Sequence, residues 1–163
     1  MTRPGGRAML EITQKHGWSR DHEIVLDGVA VGHWRRRGRR SGGPLELAGE
    51  TSEFHVARWG RSYELRAAEG VRASAHRAGR TWEVVCDGAA YRLERVSRFR
   101  RPWRLVHQGR DLGTFTRIRP GRGVTAELGS VPLPAQVFAG LVVLSLWQRQ
   151  DAATAGAVAA SGS

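Results

Sequence analysis

The feature that most constrains this chain is a segment near its C-terminus, residues 135–148, in which apolar side chains occupy almost every angle around a helix. Val137, Phe138, Leu141, Val142, Val143, Leu144, Leu146 and Trp147 leave no polar stripe, because Gln136, Ser145 and Gln148 point in different directions. A helix that is apolar all round must be surrounded. Pro134 suits its first turn. The uncharged run is longer, covering residues 128–148, but Pro132 and Pro134 break its first part. Crossing a bilayer takes about 20 apolar residues, whereas a run of about 10 to 14 reads as a buried core helix. Charge order agrees, since a spanning helix would hold Arg149 cytoplasmic and force the arginine-rich domain before it across the membrane.

What surrounds the helix is written in the preceding residues, which read as short strands punctuated by turns. Asp27-Gly28 joins residues 24–26 to 29–34, and Asp87-Gly88 joins 82–86 to 89–94. Asp-Gly between apolar runs is a hairpin signal, because a type I′ turn needs positive φ at both central residues. Tyr91 and Leu93 alternate with charged neighbours at the two-residue period of a half-buried strand. A third hairpin pairs 103–107 with 112–119, and 54–59, 62–66, 72–76 and 124–128 supply further strands, ten in all. Trp34, Trp59, Trp82 and Trp103 recur at intervals of 25, 23 and 21 residues, and Tyr63-Glu64-Leu65 echoes Tyr91-Arg92-Leu93. This suggests successive hairpins, each with one aromatic anchor.

The expected fold class is therefore mainly β: a β-barrel of about 10–12 antiparallel strands in meander hairpins, wrapped around a buried hydrophobic C-terminal helix. Curling the sheet around the helix covers it and removes open edges. With 163 residues, one domain is expected. Residues 1–9 read as a flexible N-terminus, 10–150 as the barrel with its central helix at 134–149, and 151–163 as a disordered Ala/Gly/Ser tail. Residues 37–44 read as a glycine-rich basic loop. A single cysteine, Cys86, excludes an intramolecular disulfide and a multi-cysteine zinc site. The first ten residues carry no apolar stretch of the kind a secretory signal needs, so the expected location is cytoplasmic, or peripheral to the inner face of the membrane.

Together the two Asp-Gly hairpins, the Leu112-Gly113-Thr114-Phe115 strand start and the closing VPLPAQVFAGLVVLSLW resemble the tubby C-terminal fold, shared by LURP-one-related proteins and phospholipid scramblases. The resemblance covers about residues 10–149. It implies a barrel threaded by its C-terminal helix and a function that is mostly nonenzymatic, with phosphoinositide binding in the tubby proteins and membrane association in the scramblases. The five aspartates, Asp21, Asp27, Asp87, Asp111 and Asp151, are scattered singly, so the calcium-binding acidic segment of the scramblases has no counterpart here.

The net charge is +11, and 25 of the 26 basic residues are arginine, an excess that with the abundant Ala and Gly looks like coding bias of a GC-rich genome. Whatever its origin, the excess creates a field attractive to phosphates, membranes and acidic proteins. Arg35, Arg36, Arg37, Arg39 and Arg40 form its densest run, and Arg98, Arg100 and Arg101, flanked by Arg95 and Arg104, form a second. These are the candidate anion-binding residues, because guanidinium forks match phosphate oxygens bidentately. An arginine run is also what a solvated hairpin loop presents. The expected function is a noncatalytic binding or scaffold module on anionic phospholipid. The alternatives are nucleic-acid binding through Arg and aromatics such as Trp34, Phe99 and Trp103, which ranks lower because no zinc-finger, RRM or helix-turn-helix pattern is present, and a protein-interaction scaffold. The six histidines are dispersed, and HExxH, GxSxG, Walker A and GxGxxG motifs do not occur. No catalytic residue, metal or cofactor is expected.

Overall fold

The computed structural model describes residues 8–17, 19–37, 42–97, 101–118 and 122–161. Twelve strands follow one another around a closed antiparallel barrel: β1 (Ala8–Gln14), β2 (Asp21–Leu26), β3 (Val29–Arg35), β4 (Gly43–Leu47), β5 (Glu50–Ala57), β6 (Ser62–Ala67), β7 (Gly70–Ala78), β8 (Thr81–Cys86), β9 (Ala89–Arg95), β10 (Trp103–His107), β11 (Arg110–Arg117) and β12 (Gly123–Leu128). Each strand pairs with its sequence neighbours, and β1 closes on β12 through pairs such as Leu10 with Ala126 and Ile12 with Val124. A helix, α1 (Leu133–Ser161), completes the chain. Residues 135–145 of α1 are buried without interruption, so the sheet encloses the helix as its lack of a polar stripe requires.

Inward and outward residues alternate as the pleat demands. Trp82, Val84 and Cys86 of β8 and Tyr91 and Leu93 of β9 face the core. Four hairpins turn on a residue-glycine pair with the positive φ values of type I′: Asp27-Gly28 (49° and 80°), Ala48-Gly49 (50° and 80°), Asp87-Gly88 (49° and 83°) and Gln108-Gly109 (50° and 75°).

Two strands lie where the sequence reading placed none. β1 begins inside the stretch read as a flexible N-terminus, and its Leu10 and Ile12 are fully buried. β4 begins inside the stretch read as a basic loop. There Gly42-Gly43-Pro44 looks like turn chemistry, but Gly43 (φ 120°) is needed for close approach: a Cβ on it would meet the Arg35 carbonyl oxygen at 2.0 Å. Residues 151–161, read as a disordered tail, continue the helix. Alanine loses little entropy in a helix, so this stretch stays helical although residues 152–157 are exposed.

The repeat is longer than the tryptophan spacing suggests. Bulges leave Val31, Arg72 and Leu112 unpaired in three hairpins, β2–β3, β6–β7 and β10–β11. Their positions differ by 72 − 31 = 41 and 112 − 72 = 40 residues. Each bulged carbonyl then accepts from the turn beyond the next strand, from Ala48 N (2.9 Å), Asp87 N (3.1 Å) and Gly129 N (2.7 Å). The unit is four strands rather than two. Trp34, Trp82 and Trp103 do anchor the core, but Trp59 sits outside it, 87% exposed in a 3-10 turn at Arg58–Gly60.

Candidate anion-binding end of the barrel

A meander sorts its connections between two ends, and in this chain it sorts charge with them. Connections leaving even-numbered strands carry the tight turns, at 27–28, 48–49, 68–69, 87–88 and 108–109, and the link from β12 to α1. They hold Asp27, Glu69 and Asp87 and no basic residue. Connections leaving odd-numbered strands gather at the opposite end, and among the described residues the charged members of these connections are Lys15, Arg20, Arg36, Arg37, Arg58, Arg61, Arg80, Arg101 and Arg122, none of them acidic. Arg39, Arg40, Arg98 and Arg100 belong to the same connections in sequence and lie outside the described residues. So do Trp18 and Phe99.

Of the two arginine groups singled out from sequence, Arg35, Arg36 and Arg37 share this end with Arg95 and Arg101. They do not form one patch, because the β3–β4 and β9–β10 connections are six strands apart either way round a twelve-stranded barrel. Arg104 is not part of the end at all: it lies on the outer wall of β10, 3.9 Å from Asp111. Lys15, Arg20, Arg61, Arg80 and Arg122 complete the rim and escape a search for dense runs, since each stands nearly alone in its loop. The signal available was their phase, at least one basic residue in the connection after every odd strand.

Strand alternation divides the Arg35, Arg36, Arg37 run. Arg35 and Arg37 point outward toward Asp21 on β2 (3.6 Å) and Glu53 on β5 (3.2 Å). Arg36 shares the inward phase of Trp34 and is half-buried. Burial and the charge of Arg20 both hold its guanidinium below the ordinary arginine value. Beneath the rim an aromatic collar runs from strand to strand, His22 on Trp34 (4.9 Å), Trp34 on Phe54 (5.8 Å), Phe54 on Tyr63 (5.6 Å) and Tyr63 on Trp82 (5.3 Å).

The helix leaves the barrel through the same end. Trp147 donates Nε1–H to the Arg101 carbonyl (2.9 Å), and Arg117 lies over its ring at 5.9 Å. Asp151 accepts from Arg101 (3.1 Å) and from Arg117, which holds its carboxyl below the usual carboxylate range. Arg149 donates to the carbonyl of Trp59. Trp59 keeps φ at 57°, a left-handed conformation uncommon for a bulky residue. Beside this exit a groove of about 690 Å³ is lined by Arg77, Arg80, Arg95 and Arg149 over Trp82 and Trp103.

Burial also sets the protonation of Cys86 and His22. Burial, with the charge of Asp87, pushes the Cys86 thiol up to about 11, so near neutral pH it is not a thiolate. Burial lowers His22 to about 4, leaving a neutral ring whose Nδ1 lies 3.2 Å from the Arg20 carbonyl. Among the described residues no three His, Cys, Asp or Glu side chains are grouped to hold a metal, and no helix is long and apolar enough to cross a membrane.

No protein-family model, curated protein or solved structure matches this chain.

Proposed function

We propose that this protein is a noncatalytic module of the tubby-like type, which docks the arginine-rich end of its barrel on anionic phospholipid at the inner face of the membrane. The observation that carries the reading is the separation of charge along the barrel axis, basic at one end and acidic at the other. Basic residues close to an anionic surface each contribute about 1 kcal/mol, so a ring of them orients the barrel as well as attracting it. Trp59 supports the same face, because an exposed indole among cations suits the headgroup level of a bilayer. The barrel threaded by a C-terminal helix is the layout on which the tubby resemblance rests.

Vesicle co-sedimentation at about 150 mM salt tests it, with surface attraction beyond ~8 Å screened. The protein should pellet with phosphatidylcholine vesicles containing phosphatidylserine and stay in solution with phosphatidylcholine alone. Replacing Arg61, Arg80 and Arg122 with Ser should weaken binding at least tenfold at an unchanged melting temperature. Replacing Arg92 and Arg110, away from that end, should change little. Equal pelleting with neutral vesicles, or equal loss in both variants, would overturn the proposal.

A further inference from the structure

The groove beside the helix exit opens in the mouth of the barrel, between α1 and the ends of β7 to β10. Its floor is apolar, built from Trp82, Trp103, Leu146 and Trp147. Strand register sets two arginines over that floor. Arg77 continues the inward phase of Ala73 and Ala75 on β7 and pairs across with Trp82, while Arg95 continues the inward phase of Tyr91 and Leu93 on β9 and pairs with Trp103. The Arg95 guanidinium lies over the Trp103 ring at 5.4 Å. Arg80 and Arg149 close the rim, and all four arginines are exposed. Elsewhere on the barrel Arg35, Arg37, Arg72 and Arg117 face carboxylates, but among the described residues no carboxylate lies within ion-pair distance of these four. Glu94, the one carboxylate lining the groove, turns to Arg92 at 3.8 Å. Carbonyls orient two of the four instead: Arg77 donates Nε–H to Gly79 (3.1 Å), and Arg149 donates to Trp59, its guanidinium seated where a Cβ on Gly60 would collide with it. A carbonyl partner fixes a guanidinium without cancelling its charge.

Such a groove is short of negative charge, yet a bare hydrated ion suits it poorly, because it would give up water against indole rings. An anion carried on an apolar body meets both surfaces. Guanidinium forks take a carboxylate through two parallel hydrogen bonds, and the aromatic floor takes the body. At about 690 Å³ the groove is the size of a small-molecule site, and the mouth of a β-barrel is a recurrent place for one. We infer that the barrel mouth between α1 and β7–β10 is a binding site for a small organic carboxylate with an apolar body, its charge held by Arg77, Arg80, Arg95 and Arg149 and its body lying on Trp82, Trp103 and Leu146. Such a ligand needs no membrane, so the site stands apart from the docking reading above.

Titrating the intact protein with 2-naphthoate, while following its indole Nε1–H resonances by NMR, tests the site without any substitution. Saturable shifts of the Trp82 and Trp103 signals are expected, with Trp34 unmoved. Two companion probes separate the surfaces: 2-naphthamide keeps the ring and lacks the charge, and acetate keeps the charge and lacks the body. Each should bind about tenfold more weakly or worse, the loss expected for one charged hydrogen bond or one buried apolar group. Decanoate distinguishes a chain from a ring, and whichever carboxylate binds tighter assigns the body. Replacing Arg80 and Arg95 together with Gln should weaken 2-naphthoate by about tenfold or more at an unchanged melting temperature. Replacing Arg92 and Arg110, outside the groove, should leave its affinity as it was. No saturable shift with either carboxylate, equal affinity for 2-naphthamide or acetate, or equal loss in both variants would overturn the inference. The probe comparison uses the native protein, so it decides the matter even where a variant folds poorly.

Discussion

His22 shows how one residue's surroundings set its chemistry. It sits on the inward face of β2, 2% exposed against the Trp34 ring, and burial lowers its pKa from 6.5 to about 4. The unfolded chain therefore takes up the proton first. Stability from the neutral ring is fully present above the unfolded value and is lost as pH falls from about 6.5 toward 4, a loss of roughly 3 kcal/mol. Urea midpoints should fall between pH 6.5 and 5, before most carboxylates titrate, and His22→Asn should flatten that decline. A variant with the wild-type slope would assign it elsewhere. The arginine run makes the same point about legibility. Its charge is plain in the sequence, but the inward turn of Arg36 depends on β3 phase, and phase becomes visible only once Trp34 is known to face the core.

At the level of elements, the central helix was legible because nothing else explains a segment without a polar face. Its burial has a direct consequence at Leu141, which is 0% exposed. Leu141→Ala should cost about 2–5 kcal/mol, as for other large cavities in well-packed cores. Leu141→Asp adds an unpaired charge and should abolish the cooperative thermal transition followed by circular dichroism. A folded, monomeric Leu141→Asp protein would refute the central-helix packing. β1 and β4 were harder to read. Each is one strand of a closed ring, and the Ala48-Gly49 turn that ends β4 lacks the Asn or Asp that flags a type I′ turn in sequence. Gly32 carries a related hidden requirement: a Cβ there would meet the Glu46 carbonyl oxygen at 2.1 Å. Gly32→Ala should lower stability by about 1–3 kcal/mol in chemical denaturation, despite removing a flexible glycine from a strand.

For the whole molecule, the important property is the direction of its field. A net charge of +11 says nothing about direction, yet the meander sends basic connections one way and acidic turns the other. Such a field is long-ranged only while salt permits: the screening length falls from about 10 Å at 0.1 M to about 3 Å at 1 M. Affinity for phosphatidylserine vesicles should therefore fall steeply across that range, measured by co-sedimentation, whereas burial of Trp59 alone would leave it nearly constant.

By itself the sequence determined the strand character, the Asp-Gly turns, the excess of arginine and a helix that has to be enclosed. These are local properties, set by side-chain period and backbone preference within a few residues. The tertiary structure decided which twelve segments close the ring, how the four-strand unit repeats, and that arginines scattered from Arg20 to Arg149 meet at one end. Those outcomes depend on pairing between residues as distant as Leu10 and Ala126. Period along a strand establishes which side chains face inward, but only closure of the barrel establishes which loops share a rim.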